Sequence, residues 1–334
     1  MTVDVHAHFL PKLLIEGFDA ARRAFSGVQL LRDDKGLRFR FPGAEPTRPV
    51  APKLMDLGDR KRWLNQNGID HQLVGGWMDV YGYELPADEG LAWSRYSNRC
   101  MKAALAAEPR FTPLATLPLQ DGRLAAQVLA EAMSDGFGGA MIGTLPKGVS
   151  EKSGGNLDDA SLDPFWEAAS KLQAGIFLHP MFPCDPRLDS LEIQNAIGRI
   201  VDASIAVSRL LFSGHLLKFP GVKLVLSHGG AALPFVLGRL ARAFDIAHGK
   251  LQDPQAGFAA LYFDTIVFDR QALEFLAAKA GARRILMGSD MPFPIGDLSP
   301  RNLVEQLNLG TDDRDAILGE TAKSVFKIRP DCAC

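Results

Sequence analysis

The sequence predicts an α/β chain closed as a (β/α)8 TIM barrel, with a small insertion after the first strand. Three observations predict it. Eight short apolar, β-branched runs recur along the 334 residues, each followed by a longer stretch, usually with helical periodicity. No glycine-rich phosphate loop follows the first run, as a doubly wound dinucleotide-binding sheet would require. Histidines and an aspartate gather where the runs end, which in a barrel is the face that carries chemistry.

The strand-like runs cover residues 3–6, 71–75, 112–117, 139–142, 175–179, 223–228, 261–267 and 284–287. Helical patterns occupy 122–134, 163–172, 188–218, 234–247 and 270–280 between them. Residues 25–52 break the alternation: Leu37-Arg-Phe-Arg-Phe41 has a period of two, and Pro and Gly punctuate the rest. That stretch reads as a small β excursion within an insertion spanning about 12–52, on the side of the prospective site. A chain of this length could be two average domains, but barrels of this kind run past roughly 250 residues as one. The expectation is therefore one domain over 1–334.

Composition narrows the class. Apolar residues make up 47% and charged residues 23%, enough for a large core. The 37 basic and 39 acidic residues leave a net charge of −2 with no long single-sign run. Nucleic acid and anionic membrane are thereby excluded as main partners. No apolar stretch reaches the roughly 18 residues of a spanning helix. Residues 2–9 read as a buried strand rather than a signal peptide. The four cysteines, Cys100, Cys184, Cys332 and Cys334, make no disulfide framework and no CxxC pair, which fits a reducing cytoplasm. Cys332-Ala-Cys334 reads as a frayed tail in preference to a metal pair.

The chemistry begins at His6-Ala-His8. Period-two geometry points both imidazoles to one side of a strand, as two nitrogen donors for a divalent ion must point. By itself the pair is a weak signal, since satisfied core histidines look the same. His179 ends the run Gly-Ile-Phe-Leu, His228 ends Lys-Leu-Val-Leu-Ser, and Asp290 follows Ile-Leu-Met-Gly-Ser. Four histidines and one aspartate thus fall at the ends of the first, fifth, sixth and eighth strands, while His71, His215 and His248 look scattered. Converging ligands on one barrel face point to a metal site.

These motifs resemble the amidohydrolase superfamily in its amidohydrolase-2 branch, closest to the 2-amino-3-carboxymuconate-6-semialdehyde decarboxylases. The resemblance rests on His6-x-His8, His179-Pro180, His228-Gly229-Gly230 and Gly288-Ser289-Asp290-x-Pro292-Phe293-Pro294, with Thr116-Leu-Pro-Leu-Gln120, Gly238-Arg239 and Arg48-Pro-Val50 in support. It runs from the first strand to about Phe326. It implies a divalent metal, zinc first and manganese second, on His6, His8, His179 and Asp290. It implies His228 as the general acid/base, Arg48 as the grip on a substrate carboxylate, and Arg239 as a residue that reaches a neighbouring subunit's site in a homodimer. A guanidinium fork suits a carboxylate because it offers two parallel donors. A solvated surface arginine is the plainer reading of either position. Asp264, in Phe-Asp-Thr, is read either as a group orienting a ligand or as a loop cap. Trp77, Tyr81 and Phe293 are read either as ring-stacking residues or as core aromatics.

The chain departs from the family in its loops. Met181-Phe-Pro-Cys-Asp-Pro186 replaces a Trp-Asp after the His-Pro pair, Gly76-Trp-Met-Asp-Val-Tyr-Gly-Tyr-Glu84 has no counterpart, and Ala247 stands where a second arginine is expected. The metal chemistry carries over better than the substrate. The expected activity is nonoxidative decarboxylation of an aromatic or muconate-like carboxylic acid. The alternative is a metal-dependent hydrolase acting on a lactone, amide or C–C bond of a ring-cleavage metabolite. A non-catalytic metal- or ligand-binding barrel is disfavoured, because an unused buried polar cluster costs stability.

Overall fold

The computed structural model describes residues 1–148, 155–181 and 185–328; Cys184, Cys332 and Cys334 lie outside them. Ten strands are formed: β1 (Val3–Asp4), β2 (Gln29–Asp33), β3 (Gly36–Arg40), β4 (His71–Val74), β5 (Phe111–Ala115), β6 (Gly139–Gly143), β7 (Gly175–His179), β8 (Lys223–Leu226), β9 (Tyr262–Asp264) and β10 (Ile285–Leu286). All but β2 and β3 join one eight-stranded sheet in the order β1-β4-β5-β6-β7-β8-β9-β10, and every neighbouring pair is parallel. The ends meet through backbone bonds, Val5 N to Met287 O at 2.9 Å, Asp290 N to His6 O at 2.7 Å and His8 N to Met291 O at 2.8 Å. The sheet is a barrel, as predicted. All eight predicted runs coincide with barrel strands, because parallel strands buried on both faces read as unbroken apolar runs.

The closing seam passes through the ligand segments themselves. His8 pairs with Gly75 and Ala7 with Met291 as isolated bridges beyond β1. The barrel's hydrogen bonding therefore fixes the His6–His8 and Ser289–Met291 backbones against each other.

The predicted β excursion is an antiparallel hairpin, β2 against β3, with Asp33 opposite Gly36. Phe39 is buried, and its ring, with Phe18, Phe25 and Phe41, surrounds Trp93 of the Ala87–Ala104 helix at centroid distances of 5.1 to 6.5 Å. Edge-to-face aromatic packing of this kind contributes about 1 kcal/mol per pair beyond burial. The following segment continues along the hairpin, Thr47 N to Phe39 O at 2.7 Å and Val50 N to Leu37 O at 2.8 Å, and delivers Arg48 to the barrel mouth.

The helices at Gly122–Ser134 and Arg270–Ala280 keep the predicted bounds, each opened by an aspartate whose carboxylate accepts first-turn N–H groups. Of the helices that were not predicted, the two longest are Leu57–Gln66 and Ala87–Ala104. Their buried stripes hold Arg60 in the first and Gly90, Ser94 and Ser97 in the second, so apolar periodicity is broken where packing is tightest. The long pattern over 188–218 is divided. A π-helical turn at Gln194–Gly198 leads into the Arg199–Ser213 helix, and Gly214 ends that helix in the left-handed region at φ 74°. The extra residue in that turn re-aims the helix start, and Arg199 is buried there.

Candidate metal centre

His6, His8, His179 and Asp290 come together at the C-terminal mouth of the barrel. One ligand atom from each lies within 4.8 Å of the others, and all four residues are buried. His6 Nε2 and His8 Nε2 stand 3.3 Å apart, and Asp290 Oδ1 lies 3.3 Å from the first and 3.1 Å from the second. Ligands at roughly 2.1 Å on a tetrahedron about one ion are separated by about 3.4 Å.

The other ring nitrogens decide which face is available. His8 Nδ1 donates to Gly76 O at 3.1 Å and His179 Nδ1 to Pro180 O at 2.7 Å. A carbonyl only accepts, so each Nδ1 carries the proton and each Nε2 presents a lone pair inward. His6 Nδ1 donates to Asp264 Oδ2 at 2.8 Å. His179 Nε2 and Asp290 Oδ1 are buried without a hydrogen-bond partner among the described residues. Orphaned lone pairs this close need a cation between them, and the donor set fits a divalent ion.

Electrostatics agree. Burial, together with the charges of His8 and His6, holds the His179 imidazole well below its ordinary pKa, so it is neutral. Burial also lowers that of His8. For His6, burial works downward but is outweighed by Asp290 and Asp264, which push its pKa up to about 9 in the metal-free chain. Burial would raise Asp290, yet His6, His228 and His8 hold its carboxyl well below the usual range.

Both readings of Asp264 hold, since it orients His6 and also caps the turn after β8. Its Oδ2 takes His6, while its Oδ1 accepts Gly229 N at 2.8 Å and Ile266 N at 3.1 Å. One carboxylate thus ties a metal ligand to the turn that carries His228. That turn is left-handed from His228 through Ala231, with φ of 55°, 62°, 76° and 58°. A Cβ at Gly229 would meet Val267 Cγ1 at 2.3 Å, so only glycine fits. His228 stands outside the ligand set, with Nε2 3.9 Å from Asp290 Oδ2 and its side chain 12% exposed to the cleft.

Beneath the ligands lies a polar network that the motifs did not reveal. Asp4 is fully buried and accepts from His6 N at 3.1 Å, Gln72 Nε2 at 2.7 Å, Ser289 N at 3.0 Å and Ser289 Oγ at 2.6 Å. Arg60, also fully buried, donates to Gln72 Oε1 at 2.9 Å and to the His8 carbonyl. The network holds the backbone at His6, His8 and Ser289, beside Asp290. A signal was present: Asp4, His6 and His8 share one period-two face.

Of the residues assigned to the substrate, Arg48, Trp77 and Phe293 lie together near the mouth. Arg48 forms a two-pronged pair with Asp79, Nε to Oδ2 at 3.0 Å and Nη2 to Oδ1 at 2.8 Å, with its guanidinium 5.7 Å from the rings of both Trp77 and Phe293. Phe293 is half-buried and packs 5.1 Å from the His8 ring. Trp77 and Tyr81 are buried. Arg239 is exposed on the Leu233–Ile246 helix and is not among the residues lining the cleft beside His228 and Asp290. A cleft of about 260 Å³ opens beside the ligands, lined by Asn195, Arg199, His228, Asp290 and apolar groups such as Ile266 and Phe268. Arg199, hidden in a helical stretch of the sequence, was not singled out. Its guanidinium donates to Asn195 Oδ1 at 2.9 Å and Pro180 O at 3.0 Å.

A model of the amidohydrolase family matches residues 3–328. The chain belongs to that family. This amidohydrolase is 28% identical, over 293 residues, to a 2-amino-3-carboxymuconate-6-semialdehyde decarboxylase of Dictyostelium discoideum, covering 85% of this chain and 80% of the relative. It is 27% identical over 333 residues to a gamma-resorcylate decarboxylase of Polaromonas, covering 94% and 99%. Its fold is that of the 5-carboxyvanillate decarboxylase of Novosphingobium aromaticivorans, solved with manganese and 4-hydroxy-3-methoxy-5-nitrobenzoic acid, at a TM-score of 0.78, 19% identity and coverage of 98% and 96%.

Proposed function

We propose that this amidohydrolase is a metal-dependent nonoxidative decarboxylase of an aromatic or muconate-like carboxylic acid. The observation that carries the reading is the division of labour at the barrel mouth: three imidazole Nε2 atoms and one carboxylate converge, while His228 stands outside them and borders the cleft. The similarity to relatives named as decarboxylases favours this reaction over hydrolysis. His6, His8, His179 and Asp290 hold the ion, proposed as zinc with manganese as the alternative, and manganese is bound in the carboxyvanillate enzyme. The ion supplies Lewis acidity, polarising the oxygens of a bound acid.

The remaining chemistry belongs to the side chains. His228 holds a proton at the edge of the cleft and delivers it to the carbon bearing the carboxylate. The C–C pair then collapses into the conjugated system as CO2 leaves, and the proton takes its place on carbon. An imidazole suits this role because it gains and loses a proton near neutral pH. Arg48 and Phe293 border the acid, with Trp77 beneath the guanidinium. Asp290 serves as ligand and as the carboxylate facing His228.

The same proposal takes residues 1–334 as one barrel domain with 12–52 inserted, and the working unit as a homodimer. The Leu233–Ile246 helix exposes Phe235 at 83%, and the adjacent Arg199–Ser213 helix exposes Val201 and Ile205 at 44% and 58%. An apolar face of that kind beside Arg239 supports a second copy there. No described helix is long and apolar enough to cross a membrane. The free, buried Cys100 supports the reducing cytoplasm as the setting.

The test is product analysis with the metal-loaded protein on a panel of hydroxybenzoic and muconic acids. CO2 released one-for-one with a single organic product supports decarboxylation. Two organic fragments without CO2 would make the chain a hydrolase.

A further inference from the structure

We infer that Phe268 is a specificity-determining residue, the outer wall of an apolar subsite beside His228 that takes an uncharged alkyl, alkoxy or fused-ring substituent of the substrate. The substrate class narrows to aromatic acids that carry such a group. This rests on the decarboxylase reading above and adds to it what the acid bears besides its carboxylate.

Phe268 is 57% exposed, and its backbone is left-handed, at φ 56°. A single exposed aromatic ring is ordinary on a protein surface. A bulky side chain in the left-handed region is not, because its Cβ crowds the backbone there, where glycine or asparagine would be relaxed. Strain of this kind persists where the surroundings over-determine it. Here both flanks are tied. Asp264, which orients His6, accepts Ile266 N at 3.1 Å, and Val267 N donates to Thr265 O at 2.8 Å. Val267 packs against Gly229, the residue after His228, so closely that a Cβ there would collide with it. On the far side Asp269 caps the Arg270–Ala280 helix, accepting Ala272 N at 2.8 Å. An exposed ring is thus held at the cleft by the loop whose root aligns a metal ligand.

What the ring borders decides what it meets. Phe268, Ile200, Ile266, Val267 and Ile295 line one cleft of about 260 Å³ with His228 and Asp290. Its other polar members, Arg199 and Asn195, bond to each other at 2.9 Å, and Arg199 donates also to Pro180 O at 3.0 Å. A separate cleft of about 240 Å³ differs in character, since Glu45, Arg48, Asp79 and Glu84 stand in its wall. A polar group pressed against the apolar wall beside His228 would lose its water without gaining partners, whereas an apolar group gains by leaving water. The occupant is part of the substrate, because whatever fills this cleft lies against His228 and Asp290, the groups that face the reacting acid.

The test is calorimetric binding to the metal-loaded protein, with benzoate, 3- and 4-isopropylbenzoate and 3- and 4-carbamoylbenzoate as probes. Isopropyl and carbamoyl groups have nearly the same shape and differ in polarity. The wild type is expected to bind the better isopropyl acid about 10- to 50-fold more tightly than benzoate, the factor for taking three carbons out of water. The matching carbamoyl acid should gain little. Phe268→Leu should keep most of the isopropyl-to-benzoate ratio. Phe268→Asn should lower it about three- to tenfold with no fall in Tm, since asparagine suits the left-handed backbone. A residue that served the fold alone would not lose selectivity at undiminished stability. A wild type that binds the isopropyl acids no better than their carbamoyl partners overturns the inference without any variant. So does an unchanged ratio in Phe268→Asn, including the case in which that variant passes from dimer to monomer, which would assign the ring to an interface between copies. Because the readout is binding, absence of CO2 release with the ratio intact would count against the decarboxylase reading alone.

Discussion

His228 and Asp290 differ by less than 4 Å in position and by everything in their surroundings. Asp290 Oδ1 faces two imidazole nitrogens, whereas His228 reaches only the outer oxygen of that carboxylate, at 3.9 Å. Removing them should therefore separate two functions. His228→Ala is expected to retain its metal and lose about two to four orders of magnitude in kcat, the usual cost of a positioned proton-transfer group. Asp290→Ala and His179→Ala should lose metal as well as rate, measured as bound ion per chain after dialysis. Near-normal turnover of the His228 variant with metal in place would move the proton-transfer role elsewhere. Asp264→Asn keeps the shape but weakens the acceptor at His6 Nδ1, and should cost about 10- to 100-fold in metal affinity. An unchanged affinity would leave Asp264 as a cap for the Gly229 turn alone.

At the scale of elements, the Arg199–Ser213 helix carries a buried acid whose charge works against the fold. Burial pushes Asp202 from 3.8 up to about 6, ahead of the opposing bonds from Thr144 and Met181. A raised folded pKa means the folded state binds the proton more tightly than the unfolded chain. The contribution is full below about pH 4 and is lost as pH rises through 6. The shift corresponds to about 3 kcal/mol. Asp202→Asn keeps an oxygen to accept both bonds without the charge. It is expected to raise Tm by a few degrees at pH 8 and by less at pH 5, followed by thermal denaturation. A variant less stable at both pH values would show that the ionised carboxylate is needed. The strands beneath the metal site make a parallel case. Asp4→Asn disturbs the acceptor shared by Ser289 and His6 N, so metal affinity should fall about tenfold or more in a protein that remains folded. A competition assay with a coloured chelator reads this directly.

Over the whole molecule, the exposed apolar residues of the two adjacent helices and the outlying Arg239 belong to one expectation. Light scattering should give the mass of a dimer, and Arg239→Ala should impair turnover while leaving metal content unchanged. A fully active monomer would remove Arg239 from the site and leave the metal centre untouched. Stripping the metal with a chelator should abolish activity, and restoring a divalent ion should return it.

Local sequence determined the barrel and the His6, His8, His179 and Asp290 cluster at its mouth. Strand runs at 139–142 and 175–179 could be read because both faces of those strands are buried, and an unbroken apolar run needs no partner to be recognised. His6, His8, His179, His228 and Asp290 were legible because each ends such a run, where the barrel always places chemistry. Only the tertiary structure decided how those ends are held and what else stands among them. Arg60, Gln72 and Asp4 come from one helix and two strands, and are joined by hydrogen bonds spanning up to 68 residues. Arg199 sits in a stretch whose pattern is simply helical until the π turn re-aims it. The physical reason is the same in both cases. Burial in an apolar segment shows in the pattern of that segment alone, whereas a buried polar side chain depends on partners far away in the chain.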